Sequence, residues 1–259
     1  MTKKTIFDYQ AEVGLTKHMG GLEATEMLIR ECDIGPEDSV LEVGCGVGQT
    51  TVLLVKRCGC HVTGLDISEG MINFASKRAR KHGVSDKTEF KQGDISSLPF
   101  DADRFDVILS ESVTSFAPDH AEAIQEYARV LRPGGFLGMN EGLYLKEDVP
   151  EEILAWFTQD ASGGGHTRTL ESWKKLLQDA GFHLEAVEVH PPDISQEFGG
   201  LLKRYGCSGF LGIMARMLRM YLRDPEYRSF VREVQADGVV PKNLSEYFGY
   251  GIFVAKKPQ

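Results

Sequence analysis

The chain has 259 residues, 42% of them hydrophobic and 26% charged. At roughly 150 residues per domain this is one large domain or two small ones, long enough to bury a core without disulfide or metal staples. Lys and Arg number 29 against 38 Asp and Glu, a formal charge of −9, which argues against a general nucleic-acid-binding surface. No apolar run approaches a membrane span, and the first residues lack the apolar core of a signal peptide, so a mature cytoplasmic protein is expected. Five cysteines (Cys32, Cys45, Cys58, Cys60, Cys207) are odd in number and sparse; they read as reduced thiols, and no metal site is expected.

From position 34 onward, short β-rich runs alternate with helix-like stretches, the pattern of a parallel sheet covered on both faces. A buried strand at 39–43 ends at a glycine cluster, and a helix follows at 49–57. A second strand at 61–66 ends on an acid, Asp66. Ser68 caps the next helix, 69–82, which stops at Gly83. The third strand, 88–92, leads into Gly93-Asp94, and the fourth, 105–110, is apolar enough for a sheet centre. A helix at 119–131 is stopped by Pro133-Gly134-Gly135 before a fifth strand at 136–140. A helix at 170–180, a strand at 183–189 and a last strand at 250–256 complete the series. One domain over 1–259 is expected, with its sheet core at about 34–144, 167–190 and 249–257. Segments 1–33, 145–166 and 191–248 are expected to form caps over the carboxyl ends of the strands.

The first strand runs into Glu42-Val43-Gly44-Cys45-Gly46-Val47-Gly48 just ahead of a helix. Alternating glycines let the backbone turn sharply and approach a ligand closely. The helix start adds free N–H groups and a positive dipole end, suited to a carboxylate or phosphate. A dinucleotide fingerprint would need a third glycine at position 49; Gln49 stands there, which weakens a pyrophosphate reading. Asp66 is placed to accept from two ribose hydroxyls, and Asp94 from an adenine amino group. Acids after three successive strands suit a ligand with an amino acid end, a ribose and an adenine, without phosphate charge to repel them.

The blocks VLEVGCGVG (40–48), VTGLDIS (62–68), KQGDI (91–95), FDVILSESV (105–113) and ARVLRPGG (128–135) occur in order at ordinary spacings. Through them the chain resembles the class I S-adenosylmethionine-dependent methyltransferases, closest to their small-molecule (type 11) branch. The resemblance covers 34–145 strongly and 167–190 more loosely. It implies a doubly wound α/β fold, a mostly parallel seven-stranded, Rossmann-like sheet with helical cap insertions. It further implies that Gly44, Cys45, Gly46 and Gly48 hold the methionine part of S-adenosylmethionine, with Glu42 helping its amino group. Asp66 would bind the ribose, Ile67 and Met71 would lie by the adenine, Asp94 and Ile95 would meet the adenine edge, and Glu111 would sit beside the sulfonium. Two other readings stand beside methyl transfer: a non-catalytic S-adenosylmethionine-binding protein, and an NAD-type oxidoreductase on a similar sheet.

Methyl transfer from a sulfonium is an in-line displacement that needs alignment and dryness first. An amine or thiolate acceptor requires no strong base, whereas a hydroxyl or carbon acid does. His18, Glu141 and His166 are the candidate bases, and Tyr9 and Trp156 candidate aromatic walls for the substrate. A small molecule, not nucleic acid, is the expected acceptor. The insertion carries a helical repeat at 210–223, with Phe210, Leu211, Ile213, Met214, Met217, Leu218, Tyr221 and Leu222 on one face and Gly212, Arg216, Arg219 and Arg223 opposite. From 203 to 232 there are seven basic and two acidic residues, a local +5 that leaves −14 elsewhere. Three roles compete for this helix: a lid packing its apolar face inward, a homodimer contact, or docking on an anionic membrane surface.

Overall fold

The computed structural model describes residues 4–159, 166–191, 194–237, 241 and 243–259. In chain order the elements are α1 (Ile6–Val13), α2 (Gly21–Glu31), β1 (Ser39–Val43), α3 (Gln49–Cys58), β2 (His61–Asp66), α4 (Glu69–His82), β3 (Thr88–Gln92) and β4 (Phe105–Glu111). Then come α5 (His120–Val130), β5 (Leu131–Tyr144), α6 (Glu151–Gln159), β6 (Arg168–Thr169) and α7 (Leu170–Asp179). The chain finishes with β7 (His183–His190), α8 (Ile194–Arg223), α9 (Pro225–Asp237), α10 (Leu244–Tyr247) and β8 (Phe248–Lys256).

The strands run in the order β3-β2-β1-β4-β5-β8-β7, with the two-residue β6 paired to the end of β5. β1 to β5 are parallel, while β8 is antiparallel to both its neighbours. This is the expected doubly wound, mostly parallel sheet. Strand order reverses between β1 and β4, and in open α/β sheets the crevice at such a switch point holds the ligand.

Both faces of the sheet are covered, which explains why its central strands read as unbroken apolar runs. Alternate side chains enter opposite cores. Leu41, Ile108 and Phe253 join Tyr127 and Trp173 on one face, while Val40, Val107, Leu109 and Val254 join Leu28 and Leu54 on the other. The segment 1–33 therefore divides. α2 is a core helix, since its Ala24 and Leu28 pack into the second cluster, while α1 lies by the glycine turn, with Ala11 against Val47 and Met71.

β5 is longer than its sequence predicts. Pairing with β8 continues from Phe136↔Lys256 to Tyr144↔Phe248, so Glu141 sits inside the strand and not after it. A polar residue and a glycine mask a strand whose register is imposed by its partner.

The helix at 210–223 forms, but its apolar face is turned outward. Within α8, Ile213 is buried, while Leu211, Met214, Leu218, Tyr221 and Leu222 are exposed, Leu222 by 68%. The orientation is set by a side chain expected on the far side: Arg216 Nε donates to Val13 O at 2.7 Å, with its guanidinium 5.7 Å from the Phe74 ring. The inward-packed lid is thus corrected for this stretch. A break at Gly206 (φ 67°, ψ 167°) separates it from the preceding turn of α8, which carries Arg204 and Tyr205 toward the crevice.

Candidate functional site

The turn between β1 and α3 is built on backbone that L side chains avoid. Gly44, Gly46 and Gly48 have φ of 61°, 53° and 71°, and a side chain at each would cost about 1–2 kcal/mol from conformation alone. Neighbours close in as well: a Cβ would lie 2.2 Å from Val113 at Gly44 and 2.5 Å from Thr16 at Gly46. Val113 and Thr16 therefore wall the turn. Cys45 is buried beside them, and desolvation, then the Glu42 and Asp66 charges, pushes its thiol well above the ordinary range. It is an inert filler among the glycines.

Asp66, at the tip of β2, is tied to that turn. Its Oδ2 accepts from Gly46 N at 2.8 Å and its Oδ1 from Ser68 N at 2.9 Å. Burial raises its pKa, and these two hydrogen bonds oppose the rise. Ile67 beside it is 68% exposed, an apolar side chain held out at the crevice, with Gln92 Nε2 donating to its carbonyl at 3.0 Å. Met71 is buried under the turn with Ala11 and Val47. At the tip of β3, Asp94 is exposed; its Oδ1 accepts from Ser96 N at 2.9 Å, while Ile95 packs on the main core. Asp66, Ile67, Asp94 and the glycine turn are thus neighbours along adjoining strand ends.

Glu111, at the tip of β4, anchors a polar network. Its Oε1 accepts from Thr25 Oγ1 at 2.8 Å and lies 3.4 Å from His18 Nδ1; its Oε2 accepts from Thr50 Oγ1 at 3.3 Å. Thr50 accepts in turn from Arg204 Nη2 at 2.8 Å. Glu42, fully buried within β1, accepts from Thr51 Oγ1, and desolvation pushes its carboxyl up to about 8, so it is largely neutral at pH 7.

The three candidate bases fare differently. His18 is buried, with Nδ1 3.0 Å from Met19 O and Nε2 3.2 Å from Thr25 Oγ1, so both ring nitrogens face protein partners. Burial lowers its pKa against the pull of Glu111. Glu141 is also fully buried. Its carboxylate accepts from Val113 N, Thr114 N, Ser115 N and Ser115 Oγ (3.1, 2.8, 3.3 and 2.7 Å), bracing the turn that sets Val113 against Gly44. His166 is exposed, its backbone N donating to Ser115 O at 2.8 Å and its ring 6.4 Å from His120.

Tyr9 is buried in an aromatic cluster with Tyr227 and Phe230 of α9, at 4.9 and 4.7 Å between ring centroids. Trp156 belongs to α6, and its side chain lies outside the described residues. The sequence reading missed Thr25, Thr50 and Arg204, which line a cleft with Leu22, Gln49 and Leu53. Thr50 was legible as part of the helix start, whereas Arg204 arrives from 154 residues downstream without any local signal.

Fold and site together define a doubly wound α/β protein of the Rossmann-like methyltransferase type. A family model described as a methyltransferase domain matches residues 41–139. An uncharacterized protein of Haemophilus influenzae is 30% identical over 178 residues, 68% of this chain and 70% of that protein. A sterol 24-C-methyltransferase of Gibberella zeae is 33% identical over 182 residues, 69% of this chain and 47% of its own length. The crystal structure of the cyclase SpnF superposes with a TM-score of 0.71 at 20% identity, covering 100% of this chain and 98% of that one. Residues 41–139 thus match a methyltransferase domain, and the fold is the corresponding one, which implies S-adenosylmethionine as the cofactor. The residues present fit that group: a side-chain-free glycine turn, an uncapped helix start at α3, and carboxylates with an exposed apolar residue at the neighbouring strand tips.

Proposed function

We propose that the protein transfers the methyl group of S-adenosylmethionine to a small-molecule acceptor by in-line displacement. One observation carries the reading: at the β1/β4 switch point the three left-handed glycines adjoin Asp66, which accepts from Gly46 N, while Glu111 accepts from Thr50 at the start of the following helix. In this reading the turn Gly44–Gly48 takes the methionine part and Asp66 the ribose. Ile67 and Met71 flank the adenine, Asp94 and Ile95 meet its edge, and Glu111 lies by the sulfonium. Glu42, held neutral, acts through Thr51 by shaping the start of α3. S-adenosylmethionine supplies the electrophilic methyl group when bound. The chain itself binds, aligns and excludes water.

His18 and Glu141 are spent on holding the site together, which supports an acceptor that brings its own lone pair, such as an amine or thiolate. Such an acceptor departs from the carbon methylation named for the sterol relative.

S-adenosylhomocysteine at about 100 times its Kd is expected to stabilise the fold by about 2.7 kcal/mol, with no effect of NAD. Transfer of a labelled methyl group to candidate amines and thiols then tests turnover. No thermal shift with millimolar S-adenosylhomocysteine would overturn cofactor binding at this crevice, and binding without transfer to any acceptor class would favour a non-catalytic binder.

A further inference from the structure

Three arginines meet between α8, α4 and the start of α3. Arg78 donates to Gln49 Oε1 and to Gly14 O, and lies 5.5 and 5.3 Å from the Phe74 and Tyr205 rings. Arg216 donates to Val13 O. Arg204 donates to Thr50 Oγ1, while its own carbonyl accepts from Gln49 Nε2. Among the described residues, the partners of all three are carbonyls, an amide, a hydroxyl or aromatic rings, never a carboxylate. Burial first, then the charges of Arg204 and Arg216, lowers the pKa of Arg78. A chain of net charge −9 thus keeps, beside its glycine turn, three arginines that reach no carboxylate directly among the described residues, Arg204 approaching Glu111 through the shared Thr50 hydroxyl.

Arg204 is the member of that cluster at the start of α3. Among the described residues it is the one charged side chain lining the cleft formed with Leu22, Thr25, Gln49, Thr50 and Leu53. Its charge also reaches inward, opposing protonation of His18 and favouring ionisation of Glu42. The methionine end of S-adenosylmethionine brings a carboxylate to a turn whose ionisable side chains, Glu42, Asp66 and Glu111, are all acidic. The α3 start, where Gly48 provides no side-chain cap, offers that carboxylate N–H groups and a dipole but no full charge. We propose that Arg204, reaching over from the insertion, is the counter-charge for the α-carboxylate of the bound cofactor. The assignment rests on the cofactor placement proposed above and makes α8 part of the binding site.

The test is equilibrium binding of two probes, S-adenosylhomocysteine and 5′-methylthioadenosine, which share the nucleoside thioether but differ in the amino acid end. Losing a hydrogen-bonded charge partner is expected to weaken S-adenosylhomocysteine about 10- to 100-fold in Arg204→Met. Binding of 5′-methylthioadenosine should stay within about twofold, and Arg204→Lys should fall between. Equal losses for both probes, or none for either, would overturn the assignment. The second outcome with a raised acceptor KM would give the arginine to the acceptor instead. Failure of the unaltered protein to bind S-adenosylhomocysteine would sink the cofactor placement itself. Should Arg204→Met prove unfolded by circular dichroism, Arg204→Gln and Arg204→Lys provide the same comparison of probes.

Discussion

The Tyr205 hydroxyl holds both backbone groups of Thr16, 189 residues away: it donates to Thr16 O at 2.7 Å and accepts from Thr16 N at 2.9 Å. Thr16 in turn presses on Gly46, so α8, the N-terminal segment and the glycine turn form three stacked layers. Tyr205→Phe removes both bonds and leaves a half-buried N–H and C=O with water as their remaining partner. The expected loss is about 1–2 kcal/mol in chemical denaturation, with earlier proteolytic cleavage in α8. Unchanged stability and cleavage would mean that these layers are held elsewhere.

Gly46→Ala should be far more disruptive than its size suggests. Its Cβ would sit 2.5 Å from Thr16 Cγ2 in a residue at φ 53°. Conformation alone costs about 1–2 kcal/mol, and the clash displaces the Thr16 layer. S-adenosylhomocysteine affinity is expected to drop at least about tenfold. Adding Thr16→Gly should recover part of that loss, because it removes the clash and leaves the backbone strain.

Glu42 makes stability depend on pH in an unusual direction for a carboxylate. Its folded pKa is raised by burial to about 8 from the ordinary 4.5, so between those limits the folded state holds a proton that the unfolded chain releases. Its contribution is therefore complete below about pH 4.5 and fades as pH rises toward 8. Glu42→Gln should remove this slope. The variant's stability relative to the unaltered protein is expected to rise by on the order of 2–4 kcal/mol between pH 5 and 9. Parallel urea-denaturation profiles across that range would refute a neutral Glu42.

Opposite sides of α8 should respond oppositely to substitution. Ile213→Ala, at a buried position, is expected to cost about 2–4 kcal/mol. Leu218→Glu, at a residue 60% exposed, should change stability by less than about 0.5 kcal/mol. Urea denaturation at low protein concentration measures both. A large penalty for Leu218→Glu would mean that the outward stripe is covered.

Most of the sheet was legible in the sequence because its signals are local. Apolar runs, a glycine or an acid at each strand end, and Ser68 ahead of its helix all act within a few residues. The glycine turn and its neighbouring carboxylates follow from the same short-range chemistry. What escaped depends on distant partners. The outward turn of α8 hangs on Arg216 reaching Val13 O, and β5 extends past Asn140 because β8 pairs with it. His18 stood only as a candidate base, because Met19, Thr25 and Glu111 surround its ring only after three segments assemble. Arg204 carried no signal at all, since a basic residue in a basic stretch has nothing to single it out.

The reversed strand β8 also dictates an order of assembly. Among the described residues β7 pairs in the sheet with β8 alone, and β8 bridges it to β5. Until β8 threads between them, β7 is stranded with its hydrogen-bonding edge unmet, and the gap it awaits is closed by a loop of more than a hundred residues, from Tyr144 to Phe248. Such distant pairing slows refolding. Pairing of β1 to β5 is therefore expected to precede the closure of β8 and β7, which leaves the β5 edge open to self-association until β8 arrives.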